Sequence, residues 1–164
     1  MTAKTIAVAQ QKGGAGKTTL AAHLSVALCQ LGLKVALLDI DPQGSLTKWF
    51  ALRDRTLHES EKALKFVAVQ GWRVENEVRR LQSEYEIIVI DSPPHAETET
   101  RLALRVADLV LMPLQPSPMD LWAGQETMKQ AEREDAEVYC VFNRVPYRSR
   151  LADEISERLK EIGL

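Results

Sequence analysis

Cysteine is nearly absent: Cys29 and Cys140 are the only two in 164 residues, and they form no CxxC pair. That argues against a disulfide framework, a zinc ribbon or a cysteine-held cluster, and both thiols are expected to be buried singly. Long apolar runs are missing too, since none reaches the ~18–20 residues that a membrane span needs. Charge of one sign is not in excess: 21 Lys and Arg stand against 23 Asp and Glu, a net charge of -2. No global field therefore draws the chain to nucleic acid, and any such contact must come from a local patch. The three histidines, His23, His58 and His95, are scattered without metal-like spacing. Met1-Thr2-Ala3-Lys4 leads straight into an apolar run and leaves no room for a signal peptide, so the expected location is cytoplasmic. What is present is ordinary for one α/β domain over 1–164, with 45% hydrophobic and 27% charged residues.

Six short apolar or β-branched runs punctuate the chain, at 5–10, 35–39, 66–69, 86–91, 109–114 and 138–143. Ile87-Ile88-Val89-Ile90 is apolar without interruption, as in strands of a parallel sheet covered on both faces. Helical patterns alternate with these runs, at 17–31, 46–52, 74–82, 100–107, 121–134 and 151–162. The alternation predicts a doubly wound α/β fold, a mostly parallel sheet of about six or more strands with helices on both faces. Ligands then belong at the carboxyl ends of the strands. The charged segment 53–65 is weakly patterned and reads as an exposed excursion.

The first run is followed by Lys12-Gly13-Gly14-Ala15-Gly16-Lys17-Thr18-Thr19, and the first helical pattern starts inside it. A glycine-rich loop between a strand and a helix is the setting of a phosphate-binding P-loop. Glycine lets successive backbone N–H groups turn inward as an anion nest. The helix N-terminus adds partial positive charge. On this reading ATP is the ligand, Gly13 to Thr19 form its cradle, Lys17 reaches the β- and γ-phosphates, and the Thr18 hydroxyl ligates Mg²⁺.

Gln11 stands where the usual P-loop pattern begins with glycine, and a second lysine, Lys12, follows it. With that variant loop come Asp39-Ile40-Asp41-Pro42-Gln43-Gly44-Ser45-Leu46-Thr47, Ile90-Asp91-Ser92-Pro93-Pro94, and Ala107-Asp108-Leu109-Val110 leading to Pro116-Ser117-Pro118. In this order the motifs resemble the ParA/MinD group of deviant P-loop ATPases, and ParA-type partition ATPases in particular. The likeness spans residue 5 to about residue 143. It implies the small form, without the N-terminal helix-turn-helix arm of larger ParA proteins. Members usually continue past the last helix with another strand and helix, so the chain is either a short variant or a truncated one.

The resemblance also implies residue roles. Lys12 would cross a dimer interface and neutralise transition-state charge on the partner's nucleotide; a salt-bridged surface lysine is the plainer alternative. Asp41 would orient the attacking water, Asp39 would lie beside the magnesium shell, and Asp91 would hold Mg²⁺ through water. A helix-cap or turn role is the alternative for the first two. Asn143 would read the adenine edge, for which an amide offers donor and acceptor, or else simply start a turn. Arg144, Arg148 and Arg150 lie in a stretch without acids. They would meet DNA phosphates, or else pair the glutamates downstream.

The implied function is an ATPase that dimerises on ATP and binds nucleoid DNA without sequence preference. It would position or segregate a cargo until a ParB-like partner triggers hydrolysis. Two alternatives remain at this point. A MinD-like membrane cycler needs a basic amphipathic tail, and the last eleven residues, EISERLKEIGL, are mixed in charge, so no membrane contact is expected. A metabolic P-loop kinase or synthetase would respond to a metabolite instead of to DNA and a protein.

Overall fold

A computed structural model of the chain describes residues 3–57 and 63–161. Six strands form one sheet: β1 (Lys4–Val8), β2 (Val35–Asp39), β3 (Lys65–Ala68), β4 (Ile87–Asp91), β5 (Leu109–Leu114) and β6 (Val138–Phe142). Their spatial order is β3-β2-β4-β1-β5-β6, and every neighbouring pair is parallel. Parallel neighbours need crossovers, supplied by helices α1 (Lys17–Gln30), α2 (Ser45–Thr56), α3 (Val74–Leu81), α4 (Glu97–Arg105) and α5 (Pro118–Arg133), while α6 (Arg150–Glu161) follows the sixth strand.

Successive strand side chains point to opposite faces, so the near-continuous apolar strands supply two cores at once. On one face Val8, Val35, Leu37 and Val89 pack against Ala21 and Ala22 of α1 and Leu46 of α2. On the other, Ala7, Leu38, Ile88 and Ile90 meet Val74, Val78 and Leu81 of α3 and Leu104 of α4. Further along that second face, Met112 and Leu114 of β5 lie under Leu121 of α5 and Ile155 and Leu159 of α6. The apolar stripe of α6 is thus spent on the core.

The strand boundaries agree with the sequence expectation to within one or two residues, and the helices depart from it more. α2 continues to Thr56, so the expected excursion at 53–65 starts as helix; its positions 58–62, with His58, lie outside the described residues. The cause is tertiary, because Trp49 and Phe50 pack on the α1 face and hold the helix down despite a charged outer side. α4 starts at Glu97, with Glu97 and Glu99 in its first turn, where acids favour a helix N-terminus. α5 starts at Pro118, capped by the Ser117 hydroxyl, and proline suits a first-turn position whose N–H has no helical partner.

The register places the chemistry. Asp91 pairs with Val8 on one side and with Asp39 on the other. The glycine-rich loop and both aspartates therefore leave the sheet at one row of the central strands, on its carboxyl edge.

Candidate nucleotide site

Gly14 and Gly16 take left-handed backbone angles, with φ of 76° and 99°, which glycine adopts without a Cβ penalty. Gln11 has no such angle, since it is not among the positive-φ residues, and this is why a side chain fits where glycine is usual. A Cβ on Gly16 would also lie 2.2 Å from Asn143 Nδ2. Gly16 caps α1, which carries no side-chain cap and no acid in its first turn. The free N–H groups of that turn face the loop, an arrangement suited to an anion. Ala15 is buried, Thr18 half-buried, and Gly13 and Thr19 exposed.

Lys17 is 6% exposed, and its ammonium donates to the Lys12 carbonyl at 3.3 Å. Burial lowers its pKa, and the nearby Asp91 and Asp41 only partly offset this. Asp91 is fully buried, and neither of its oxygens receives a hydrogen bond. Burial pushes its pKa up to about 7. The Thr18 hydroxyl favours the anion from outside hydrogen-bonding geometry, Asp39 opposes it, Lys17 favours it and Asp41 opposes it. A buried carboxylate without donors is costly unless a cation meets it. Together with the adjacent Thr18 hydroxyl it fits a hydrated Mg²⁺, which keeps several waters and takes few protein ligands. Among the described residues, no group of three or more His, Cys, Asp or Glu could hold a metal by itself. That is compatible with a metal shared with a bound phosphate.

Asp39 is built differently. One oxygen accepts the Asp41 amide at 3.1 Å, and the other accepts the Thr47 amide and hydroxyl at 2.9 and 2.7 Å. Both oxygens are thus engaged by the Asp41 turn and the start of α2, and they brace the Asp41 loop. Asp41 is half-buried, and one oxygen accepts the Gln43 amide at 2.9 Å. Together they border a cavity of about 590 Å³ walled by Trp72 and Glu99.

Lys12 forms an ion pair with Asp120 in the first turn of α5. Asp120 is 1% exposed, and it also accepts from the Ser117 hydroxyl and the Gln115 amide. Burial alone would raise its pKa, but the hydrogen bonds from Lys12, Ser117 and Gln115 outweigh that and hold the carboxyl below its ordinary value. Asp120 was missed in the sequence, although Ser117 three places before an acid is a recognisable capping signature. His95 is exposed, as a surface histidine would be; its amide donates to the Gln11 carbonyl at 3.1 Å, and its ring lies 3.6 Å from where Gly13 would carry a Cβ.

The loops after β5 and β6 close the other flank. Asn143 Nδ2 donates to the Ala15 carbonyl at 2.9 Å, beside a small cleft of about 140 Å³ that His23 and Pro113 also line. Arg144 turns inward, its guanidinium donating to the Gly14 carbonyl at 3.2 Å. Arg148 lies over the exposed Tyr147 ring at 5.1 Å, and Arg150 opens α6. The basic stretch is thus divided: Arg144 faces the loop, while Arg148 and Arg150 have no carboxylate partner among the described residues. A groove of about 610 Å³ between α5, β6 and α6 shares no residue with this site. No helix among the described residues is long and apolar enough to cross a membrane.

A parallel sheet with a glycine loop, buried lysine and buried aspartate at its carboxyl edge defines a P-loop nucleotide-binding domain. The chain belongs to the CobQ/CobB/MinD/ParA nucleotide binding domain family, which it matches over residues 6–162. It is 30% identical to "Maintenance of carboxysome distribution protein A" of Halothiobacillus neapolitanus over 98% of this chain and 75% of that protein. It is 32% identical to "Protein ParA" of Rhizobium radiobacter over 80% of this chain and 58% of that one. The chain thus spans between just over half and three-quarters of these curated relatives. The ParA of pNOB8, solved bound to nonspecific DNA, superposes with a TM-score of 0.79 at 20% identity, covering 98% of this chain and 75% of that one. At that identity the likeness is one of fold.

Proposed function

We propose that the chain is a ParA-like ATPase domain. It closes into a dimer over ATP and Mg²⁺, binds DNA without sequence preference, and positions a cargo until an activating partner stimulates hydrolysis. The observation that carries the nucleotide part is the Lys17–Asp91 arrangement, a buried ammonium and a buried carboxylate that the protein leaves short of hydrogen bonds. Mg²⁺ would supply charge neutralisation between the phosphates and the carboxylate. Lys17 binds the terminal phosphates, the Thr18 hydroxyl would ligate the metal, Asp91 would hold it through water, and Asp39, beside that shell, braces Asp41. Asp41 orients the attacking water, and among the described residues only one of its oxygens accepts a hydrogen bond. Asn143 approaches the base from the cleft it borders.

The positioning role is supported by relatives named for carboxysome distribution and as ParA. Lys12 supports the dimer: its side chain is 37% exposed and held by a single carboxylate, so it can exchange Asp120 for the phosphates of a facing copy. Arg148 and Arg150 are free to meet DNA phosphates, and doubling them in a dimer raises the effective concentration of the second patch. Arg144 adds its charge nearer the loop. An activator of the ParB kind would act on this dimer, in the cytoplasm at the nucleoid.

The cavity beside Asp41 favours a second reading, a kinase or synthetase with an acceptor molecule seated there. Light scattering separates the two. The ParA reading expects a monomer with ADP, a dimer with a non-hydrolysable ATP analogue and Mg²⁺, and monomers in both for Lys12→Ala. A wild type that stays monomeric with the analogue at micromolar concentration, and whose turnover rises with a metabolite but not with DNA plus protein, selects the enzyme.

A further inference from the structure

Three side chains hold the phosphate loop from outside. Gln115 Nε2 donates to the Gly14 carbonyl at 2.9 Å, Arg144 Nη1 donates to the same oxygen at 3.2 Å, and Asn143 Nδ2 donates to the Ala15 carbonyl at 2.9 Å. All come from the carboxyl ends of β5, which pairs with β1, the strand that feeds the loop, and of β6, the next strand beyond it. Every peptide bond here is trans, and a planar trans peptide carries its C=O and N–H on opposite sides. Drawing the Gly14 and Ala15 carbonyls toward the β5 and β6 loops therefore turns the N–H groups of Ala15 and Gly16 the other way, into the loop's concave side.

We propose that Gln115 and Arg144 are positioning residues for phosphate binding, tethers that fix the Gly14–Ala15 peptide plane so that its amide faces the anion before it arrives, while Asn143 holds the next plane. The inference rests on the nucleotide site described above and adds to it two residues that do not touch the phosphate. The Gly14 oxygen has two lone pairs, and these two donors fill both. Loop glycines are free to rotate, and rotation is the cost a tether removes. Donors already aimed at the charge spare the ligand that ordering cost. Arg144 sustains a left-handed φ of 54° without being glycine, a conformation that needs surrounding contacts to hold it. A Cβ at position 16 would collide with the Asn143 amide and force it to move, which couples the third tether to the shape of the loop.

The test is calorimetry with two probes, inorganic pyrophosphate and ADP. It compares the wild type with Gln115→Ala, Arg144→Ala, the double variant and Arg144→Lys. Each single variant keeps one donor on the Gly14 oxygen, so its affinity for both probes should fall by about threefold or less. The double variant frees the peptide, and its affinity should fall about tenfold or more, exceeding the product of the single effects. Arg144→Lys keeps a donor and should stay near the wild type. A general loosening of the fold would lower the ligand-free melting midpoint, which is expected to be unchanged. If the double variant loses ADP but binds pyrophosphate like the wild type, its side chains serve the base or ribose and the proposal fails. It also fails if the single effects simply multiply. Lys17→Ala measured alongside separates the levels: a wild type that binds pyrophosphate no better than Lys17→Ala sinks the phosphate-site reading itself. Loss in Lys17→Ala with none in the double variant sinks only the tethers.

Discussion

The loop holds two lysines, each beside its own aspartate, and the two neighbourhoods are built to opposite ends. Around Lys12, Asp120 is surrounded by donors, and its carboxyl is held in the charged form. Around Lys17, five residues on, Asp91 has no hydrogen bond, and burial pushes it up to about 7. The first neighbourhood is complete within the chain. The second is left incomplete, at a free-energy cost that a ligand can recover. A buried acid is therefore no sign of a site by itself; the informative feature is whether its lone pairs are already used.

The largest expected effect lies on the open side. Lys17→Ala removes the cation from the cradle and should weaken ATP and ADP by about 100-fold or more, since charge-assisted hydrogen bonds contribute roughly 1.5–3 kcal/mol each. Unchanged affinity in a calorimeter would end the contrast between the two lysines. Next comes Asp41→Ala, which should bind ATP as the wild type does yet turn it over at least about tenfold more slowly, because water positioning is lost while the cradle stays. A phosphate-release assay showing wild-type turnover would remove Asp41 from the open side.

On the closed side the effect is on stability. Asp120→Ala strands its donors and should cost about 2 kcal/mol in urea unfolding. Asp91→Asn in the metal-free protein should cost nothing or stabilise, because it deletes a carboxylate that nothing satisfies. Equal losses for the two would erase the comparison.

The smallest effect is on pH dependence, and its sign differs between the two aspartates. The folded state keeps the Asp91 proton where the unfolded chain releases it, from about pH 4 to about 7. Its contribution is therefore present at low pH and lost as pH rises through about 7. The lowered Asp120 contributes above the ordinary carboxylate range and loses that as pH falls through it. Urea midpoints across pH for metal-free wild type and Asp91→Asn should differ in slope between pH 4 and 7. Parallel curves would show that Asp91 stays ionised.

Much of this was legible in the sequence, and for a physical reason. Strands buried on both faces must be apolar throughout, so Ile87-Ile88-Val89-Ile90 announces itself, and β2 and β5 have the expected ends. The loop is legible because left-handed angles at Gly14 and Gly16 demand glycine. The extent of α2 was not, because its outer side is charged and the packing of Trp49 and Phe50 decides it. Nor was the division of the three arginines, which share one short stretch yet point to different partners.

By itself, then, the sequence determined what depends on local covalent and periodic constraints: the alternation of strands and helices, the position of the anion nest, and the two lysines within it. Only the tertiary structure decided which charges are already spent. Asp120 meets Lys12 from 108 positions away, and Arg144 meets Gly14 from 130. Such contacts depend on strand order: placing β5 beside β1, with β6 next to β5, brings their loops against the glycines, and local pattern carries no record of that order. The same order sets Asp91 at the centre of the sheet, walled in and with neither oxygen hydrogen-bonded.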